Sequence, residues 1–111
     1  MLEINIKSFS ELNDIKYKYL IFKFSARWCS SCKKINIDFK SIDINDCILI
    51  NVDYDNYIQD DDFTQYLLID KLPTIICMNN ETQKEEFKYI GSDNEIVKNL
   101  ILNLNPCILD F

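Results

Sequence analysis

The chain predicts an α/β fold, a mixed central sheet in the order βαβαβαββα with helices flanking both faces. Three observations carry that expectation. In the first half, apolar runs of strand length alternate with helix-like segments, the pattern of parallel strands joined by crossover helices. The last two strand-like runs are separated only by Asn79-Asn80-Glu81-Thr82, a turn, so they must pair antiparallel. A Cys-x-x-Cys pair, Cys29 and Cys32, comes directly after a buried-strand run.

In chain order, Glu3 to Lys7 alternates apolar and polar residues and predicts a short edge strand. Ser8-Phe9-Ser10-Glu11 has the spacing of a capping box and opens a helix to about Tyr17. Tyr19 to Ser25 is nearly continuous apolar, as in a strand covered on both faces, with Lys23 its exception. A helix is expected from the cysteine pair to about Ser41. Cys47 to Val52 predicts a second buried strand. Asp60 to Leu68 predicts a helix with Phe63, Tyr66 and Leu67 at core spacing. After the break at Leu72-Pro73, Thr74 to Met78 is a strand, and Lys84 to Ile90 alternates as an edge strand ending at Gly91. Ser92-Asp93-Asn94-Glu95 reads as another capping box. It opens a helix to about Leu104 whose apolar positions are Ile96, Val97, Leu100, Ile101 and Leu104.

The chain's 111 residues are enough for one domain, expected over 1–111 with a short C-terminal tail from about 105. At 48% hydrophobic residues it can bury a core and is not disordered. The net charge of −6 and the lack of a basic cluster argue against nucleic-acid and anionic-membrane partners. The first residues have no charged and apolar regions of a secretory signal, and no apolar stretch is long enough to span a bilayer. The expected location is cytoplasmic. In that reducing compartment five cysteines read as catalytic, buried or metal-binding rather than as a disulfide framework.

Cys29 and Cys32 stand where a helix is expected to begin. The helix dipole and unpaired N–H groups favour the thiolate there. One thiol can attack a disulfide, and the other, one turn away, can resolve the mixed disulfide. A structural zinc site needs four ligands, and the chain has no His and no second close cysteine pair. Cys47 and Cys77 lie within apolar strands and read as small buried hydrophobes. Cys107, after Pro106, reads as an exposed free thiol.

Phe24-Ser25-Ala26-Arg27-Trp28-Cys29 with Cys32-Lys33, then Val52-Asp53-Tyr54-Asp55, Leu72-Pro73-Thr74 and Gly91, taken in order, resemble the thioredoxin family. The resemblance covers nearly the whole chain. It implies a thiol–disulfide oxidoreductase that acts on disulfide-containing proteins without a cofactor. It further implies a thioredoxin reductase or glutathione as electron donor, and a monomer. Cys29 would be the exposed attacking thiol and Cys32 the buried resolving thiol, alternating between dithiol and disulfide. Pro73 would be cis and lie against the pair. Trp28, Leu72, Pro73 and Gly91 would contact substrate. The alternatives are a disulfide oxidase or isomerase, and a redox-inert binding module on the same fold.

Three departures from the family pattern stand out. Ser30-Ser31 replaces Gly-Pro between the cysteines. Ile37 replaces a helix-kinking Pro, so a straighter helix is expected. Lys23 replaces a buried Asp. As a catalytic candidate, Lys23 would take the proton of the resolving thiol. As a merely structural residue it would lie along apolar surface and reach water.

Overall fold

Tyr19–Ser25 is the central strand, β2, of the computed structural model, which describes residues 1–104. Pro106, Cys107 and the tail expected from about 105 lie outside the described residues. Strand β2 pairs in parallel with β3 (Cys47–Asp53) and antiparallel with β4 (Thr74–Asn79). Strand β1 (Leu2–Ile6) adds in parallel to β3, and β5 (Lys84–Ile90) adds antiparallel to β4. The sheet order is β1-β3-β2-β4-β5, so the two strands expected at edges are at the edges. Lys84, Glu85 and Glu86 leave the start of β5 charged and solvent-facing, which discourages pairing with another chain.

Strand alternation sorts the core into two layers. Leu20, Phe22 and Phe24 of β2 join Ile48, Ile50, Val52, Ile76 and Met78 on one face, beneath Tyr57, Phe63 and Leu67. Ile21, Cys47, Leu49, Ile75 and Cys77 form the other face, beneath Ile35, Phe39, Ile42, Val97 and Ile101. On the first face, Phe63 meets Phe22, Phe24 and Tyr57 edge-on at centroid distances of 6.1, 5.8 and 5.6 Å. Aromatic pairs favour that arrangement.

The helices depart from expectation more than the strands do. The first is a 3-10 helix over Phe9–Asp14, shorter than expected, with the Glu11 carboxylate accepting from the Ser8 N–H at 3.0 Å. A short helix not expected from the sequence, α1, covers Tyr54–Tyr57, capped by Asp53. Helix α2 covers Asp61–Tyr66, with Asp60 as its cap, accepting from the Phe63 N–H at 3.2 Å. Asp60 also accepts from the Phe9 N–H at 2.8 Å, so the acidic run ties two elements together. Helix α3 spans Asn94–Leu102 and is capped by Asp93 rather than by Ser92. The Asp93 carboxylate reaches the N–H groups of both Glu95 and Ile96. Val97 and Ile101 of α3 are buried, whereas Ile96 is exposed.

The largest correction concerns the segment after the cysteines. The helix expected to about Ser41 is not formed. Only two 3-10 turns, Ser31–Lys34 and Phe39–Ser41, are present, separated by extended backbone at Ile35. The Ile37 substitution therefore accompanies a broken helix, not a straighter one. Ile35-Asn36-Ile37-Asp38 alternates β-branched residues with side chains that compete for backbone hydrogen bonds, a poor helical run. Asn94 supplies the partners that a helix would have supplied. Its Oδ1 accepts from the Asn36 N–H at 3.1 Å, and its Nδ2 donates to the Lys34 carbonyl at 3.0 Å. Asn94→Ala should therefore lower stability by about 1 kcal/mol in urea denaturation, while the neighbouring exposed Lys98→Ala should be near neutral. Equal effects of the two would show that the segment is held by Ile35 and Phe39 alone.

Candidate active site

The parallel strands end where the cysteine pair begins. Strand β2 runs into Ala26, whose carbonyl accepts from the Cys29 N–H at 3.1 Å and turns the chain back. The Cys29 and Cys32 sulfurs lie at disulfide distance, with their Cα atoms 5.4 Å apart. They form a small apolar cluster with Ala26, against which Tyr54 and Leu72 pack. The two residues are covered almost equally, Cys29 at 8% and Cys32 at 5% exposure. That corrects the expectation of one exposed and one buried thiol. Tyr54 and Leu72 shield both residues in the disulfide form.

Local polar groups, not a long helix, stand around the Cys29 sulfur. The Cys32 N–H donates to Cys29 Sγ at 3.2 Å, and Ser31 Oγ stands 3.4 Å from the same sulfur. The dipole of a four-residue 3-10 turn is small, so these two groups replace the macrodipole invoked from the sequence.

Trp28 is 64% exposed. Its indole N–H donates to the Asp55 carboxylate at 3.2 Å, and its ring meets Tyr54 edge-on at 6.3 Å. The Leu72–Pro73 peptide is cis, and Pro73 is buried. The Gly91 N–H donates to the Pro73 carbonyl at 3.2 Å, which brings the end of β5 beside the proline loop. Gly91 has φ +153°, and a Cβ there would stand 2.6 Å from the Tyr89 hydroxyl, so only glycine fits without a shift. Trp28, Tyr54, Leu72, Pro73 and Gly91 are thus linked to the cysteine segment by contacts, hydrogen bonds or chain continuity.

Lys23 lies on the sheet face opposite Phe22 and Phe24. Register places it beside Asn51 of β3, which is beside Asn5 of β1. The row is polar: Asn51 Nδ2 donates to Glu3 at 2.8 Å and to the Asn5 side-chain oxygen at 3.0 Å. The Lys23 ammonium lies 5.9 Å from the Phe39 ring centroid. Burial pushes its pKa below the ordinary lysine value, and the Glu3 carboxylate opposes that shift. Lys23 and Cys32 line the same open cavity of about 520 Å³. Strand alternation places Lys23 on the correct face, but nothing in the sequence signals the cavity. The cavity lies beside the broken helical segment.

Cys47 and Cys77 are buried free thiols, as their apolar surroundings predicted. Burial, reinforced by Asp46, pushes the Cys47 thiol up to about 11, and burial raises Cys77 further. Among the described residues, no three Cys, His, Asp or Glu side chains gather to hold a metal ion, and no helix is long and apolar enough to cross a membrane. Sequence reasoning did not assign roles to Tyr54, Asp55, Arg27, Lys7 or Lys33. The first two stand in a quoted motif, Val52-Asp53-Tyr54-Asp55. Arg27 and Lys33 stand in the cysteine motif itself, whereas Lys7 is distant in sequence and reaches the same cavity only through the pairing of β1 with β3.

The family model described as Thioredoxin matches residues 1–102. Solved structures agree. The oxidised thioredoxin of Plasmodium falciparum is 25% identical, covering 94% of this chain and 98% of its own, with a TM-score of 0.73. The reduced thioredoxin pre-protein of Schistosoma mansoni is 25% identical, covering 93% and 98%, with a TM-score of 0.71. Thioredoxin from Malassezia sympodialis, 21% identical over 93% of each chain, has a TM-score of 0.72 and shows the same fold. No curated protein sequence matches the chain.

Native-state alkylation of the oxidised protein should leave Cys47 and Cys77 unmodified, read by peptide mapping. The neutral thiol is favoured by folding, so its contribution to stability is full below the ordinary value of 9.0 and falls as pH rises toward about 11. Cys47→Ala should flatten the loss of stability over that window. Ready labelling of either cysteine would contradict the buried placement.

Proposed function

The chain belongs to the thioredoxin family, and we propose that it reduces disulfides in protein substrates, with Cys29 attacking and Cys32 resolving. Membership and a cysteine pair at disulfide distance make it a thiol–disulfide oxidoreductase. The direction of electron flow and the substrate class are our reading. What supports the assignment of Cys29 is its sulfur's position as acceptor from the Cys32 N–H and beside the Ser31 hydroxyl. Donors at those distances stabilise a thiolate, which is the nucleophile.

The cycle balances in two steps. The Cys29 thiolate attacks a substrate disulfide, forming a mixed disulfide and releasing one substrate thiolate. The Cys32 thiolate then attacks Cys29 Sγ, closes the Cys29–Cys32 disulfide and releases the second substrate thiolate. Two electrons pass from the protein to the substrate, and an external dithiol or thiol restores the reduced pair. A reductase or glutathione would act there. Trp28, Leu72, Pro73 and Gly91 would form the docking edge for an extended substrate strand, with main-chain pairing at Leu72.

Lys23 fits the second step. It shares a cavity with Cys32, and its burial favours the neutral amine. A neutral amine can take the Cys32 proton, and the resulting ammonium then favours the thiolate. Lys23 acts here as a positioning and proton-accepting residue, not as a nucleophile.

A reading in which the protein donates disulfides draws on the same donors. Groups that stabilise the reduced thiolate make the disulfide a better oxidant, and the Ser31 hydroxyl is such a group. Equilibration with a glutathione redox buffer separates the two directions.

In an insulin-reduction assay driven by dithiothreitol, Cys29→Ser should abolish turnover with unchanged far-ultraviolet circular dichroism. Turnover at the wild-type rate would refute the nucleophile, while an inactive wild type would favour the redox-inert binding module. For Lys23→Met, thiolate absorbance against pH should move to higher pH by more than about 0.3 unit, roughly 0.4 kcal/mol of lost interaction. The same variant should melt at a higher temperature at pH 7. A depressed lysine pKa opposes folding below its folded value, and the penalty fades as pH rises toward 10.5. Superimposable absorbance curves would leave Lys23 a structural residue.

A further inference from the structure

The sheet face that packs against Ile35 and Phe39 is apolar along most of its length, through Ile21, Leu49, Ile75 and Cys77. At the carboxyl ends of the three parallel strands it turns polar. Register places Asn5 of β1 beside Asn51 of β3, Asn51 beside Lys23 of β2, and Ser25 beside Asp53. The chain after the cysteines turns extended at Ile35, and an open cavity of about 520 Å³ stands over this polar end. The connection from β1 to β2 packs on one face of the sheet and the connection from β2 to β3 on the other. A crevice where successive connections leave to opposite faces is a natural binding place in an α/β sheet. Its volume suits a small molecule rather than a folded partner.

Four cations line the cavity. Lys23 lies on its sheet wall and is half-buried, and Lys7, Arg27 and Lys33 are exposed around it. Against them stands one lining carboxylate, Asp53, whose Oδ1 already accepts from the Asp55 N–H at 2.9 Å. The chain as a whole has a net charge of −6, so the positive excess is local. Such a field concentrates small anions. Lys23 is the sharper sign of a missing counter-ion. Its ammonium is partly desolvated and lies 5.9 Å from the Phe39 ring centroid. The carboxylate that supports its charge, Glu3, is engaged by Asn51 Nδ2 at 2.8 Å. A partly buried cation without a bonded counter-ion opposes folding, and an anion in the cavity offsets that cost.

We propose that this cavity binds a phosphoryl dianion, free or as the head of a small phosphoester, with Lys23 on the sheet and Arg27, Lys7 and Lys33 around it as counter-ions. Four cations against one carboxylate match a dianion better than a single carboxylate. Arg27 brings a planar fork that fits two phosphoryl oxygens, and the lysine ammoniums add point charges. The Ser25 hydroxyl and the Asn5 amide, both on the wall, supply neutral donors. Ile6, Ile35 and Val52 line the remaining space and leave room for the body of an ester. The bound dianion acts on the cysteine pair through its field, without contact to either sulfur. A negative charge nearby opposes a thiolate, so the oxidised protein binds the dianion more tightly than the reduced protein does. By linkage, the ligand then holds the protein in its disulfide form. This coupling rests on the oxidoreductase reading, whereas the binding itself does not.

The test is isothermal titration calorimetry of the oxidised full chain with sodium phosphate, at about pH 8, where the phosphoryl group is a dianion. Sodium chloride holds the ionic strength constant. Saturable binding of one ion per chain, with a Kd of about 1 mM, is expected. Heats no larger than those of added sodium chloride would overturn the proposal. Lys23→Met and Arg27→Gln should each weaken binding by at least about threefold. Lys98→Gln, which removes a cation of α3 outside the cavity, should leave it unchanged. Equal weakening by Lys98→Gln would show attraction to overall charge and overturn the site. Ribose 5-phosphate separates the two sources of the group: tighter binding than inorganic phosphate assigns the cavity to esters, and weaker binding assigns it to the free ion. Ribose alone binding as tightly as its phosphate would overturn phosphoryl recognition. After reduction with dithiothreitol, the Kd for phosphate should rise by at least about threefold. An unchanged Kd would overturn the coupling to the cysteines while the phosphoryl site stood. Failure of wild type to reduce insulin would sink the oxidoreductase reading and leave the binding result intact.

Discussion

Strand β2 sets the terms for the rest of the molecule because it is hydrogen-bonded on both sides and covered on both faces. A strand so placed can be neither shifted nor tilted without disturbing both core layers. A slip of one residue would exchange Phe22 and Phe24 for Ile21 and Lys23 against the aromatic layer. The register is therefore held by burial, and the cysteine segment inherits its position from the end of β2. Ala26, Cys29 and Cys32 form an apolar cap at the end of the strand, and Tyr54 and Leu72 close over it from two other segments. Rigidity of the sheet becomes precision at the sulfurs, which is the condition for a fast second attack within one loop.

The same constraint explains why one cation lies within an otherwise apolar strand. Lys23 faces the layer of Ile75 and Phe39, and its two register neighbours are the aliphatic Ile75 on β4 and the polar Asn51 on β3. Asn51, Asn5 and Glu3 make a polar lane at the edge of the sheet, and a lysine stem spans the distance between that lane and the core. Burial of the stem is favourable, whereas burial of the ammonium opposes folding. The residue thus reduces stability to some degree and places a titratable group on the wall shared with Cys32. Strained or costly residues gather at working sites in this way.

Most of the strand arrangement was readable because alternation and burial leave a strong mark in β2, β3 and β4. The mark was weaker wherever a short polar contact decided the outcome. Ile35 and Phe39 have the spacing of a helix facing the sheet, and that pattern reads as one. Nothing local in the sequence announces that Asn94, far along the chain, satisfies the Asn36 N–H and the Lys34 carbonyl. The α3 cap failed in a milder form: Ser92 and Asp93 are both acceptable caps, and the carboxylate that reached two N–H groups prevailed. At the site, the cysteine pair, Trp28 and Pro73 were visible as motifs. The cavity beside them was not, since Lys7 and Asp53 join Arg27 and Lys33 there only through the parallel register of β1, β3 and β2.

The broken helix and the cavity beside it are two sides of one arrangement. A continuous helix after the cysteines would have supplied a dipole to the Cys29 thiolate. Two local donors now stand in its place: the Cys32 N–H, which is fixed, and the Ser31 hydroxyl, which can turn toward whichever state needs it. The nearby cations add a field of the same sign, strongest where Lys23 is desolvated and weakest at exposed Lys7 and Lys33, where water and salt screen it. A carboxylate in the place of Lys23 would oppose that field and raise the thiol pKa values. With an ammonium there, the basic group that shares a cavity with Cys32 acts toward the thiolate, against the Asp53 carboxylate on the same cavity.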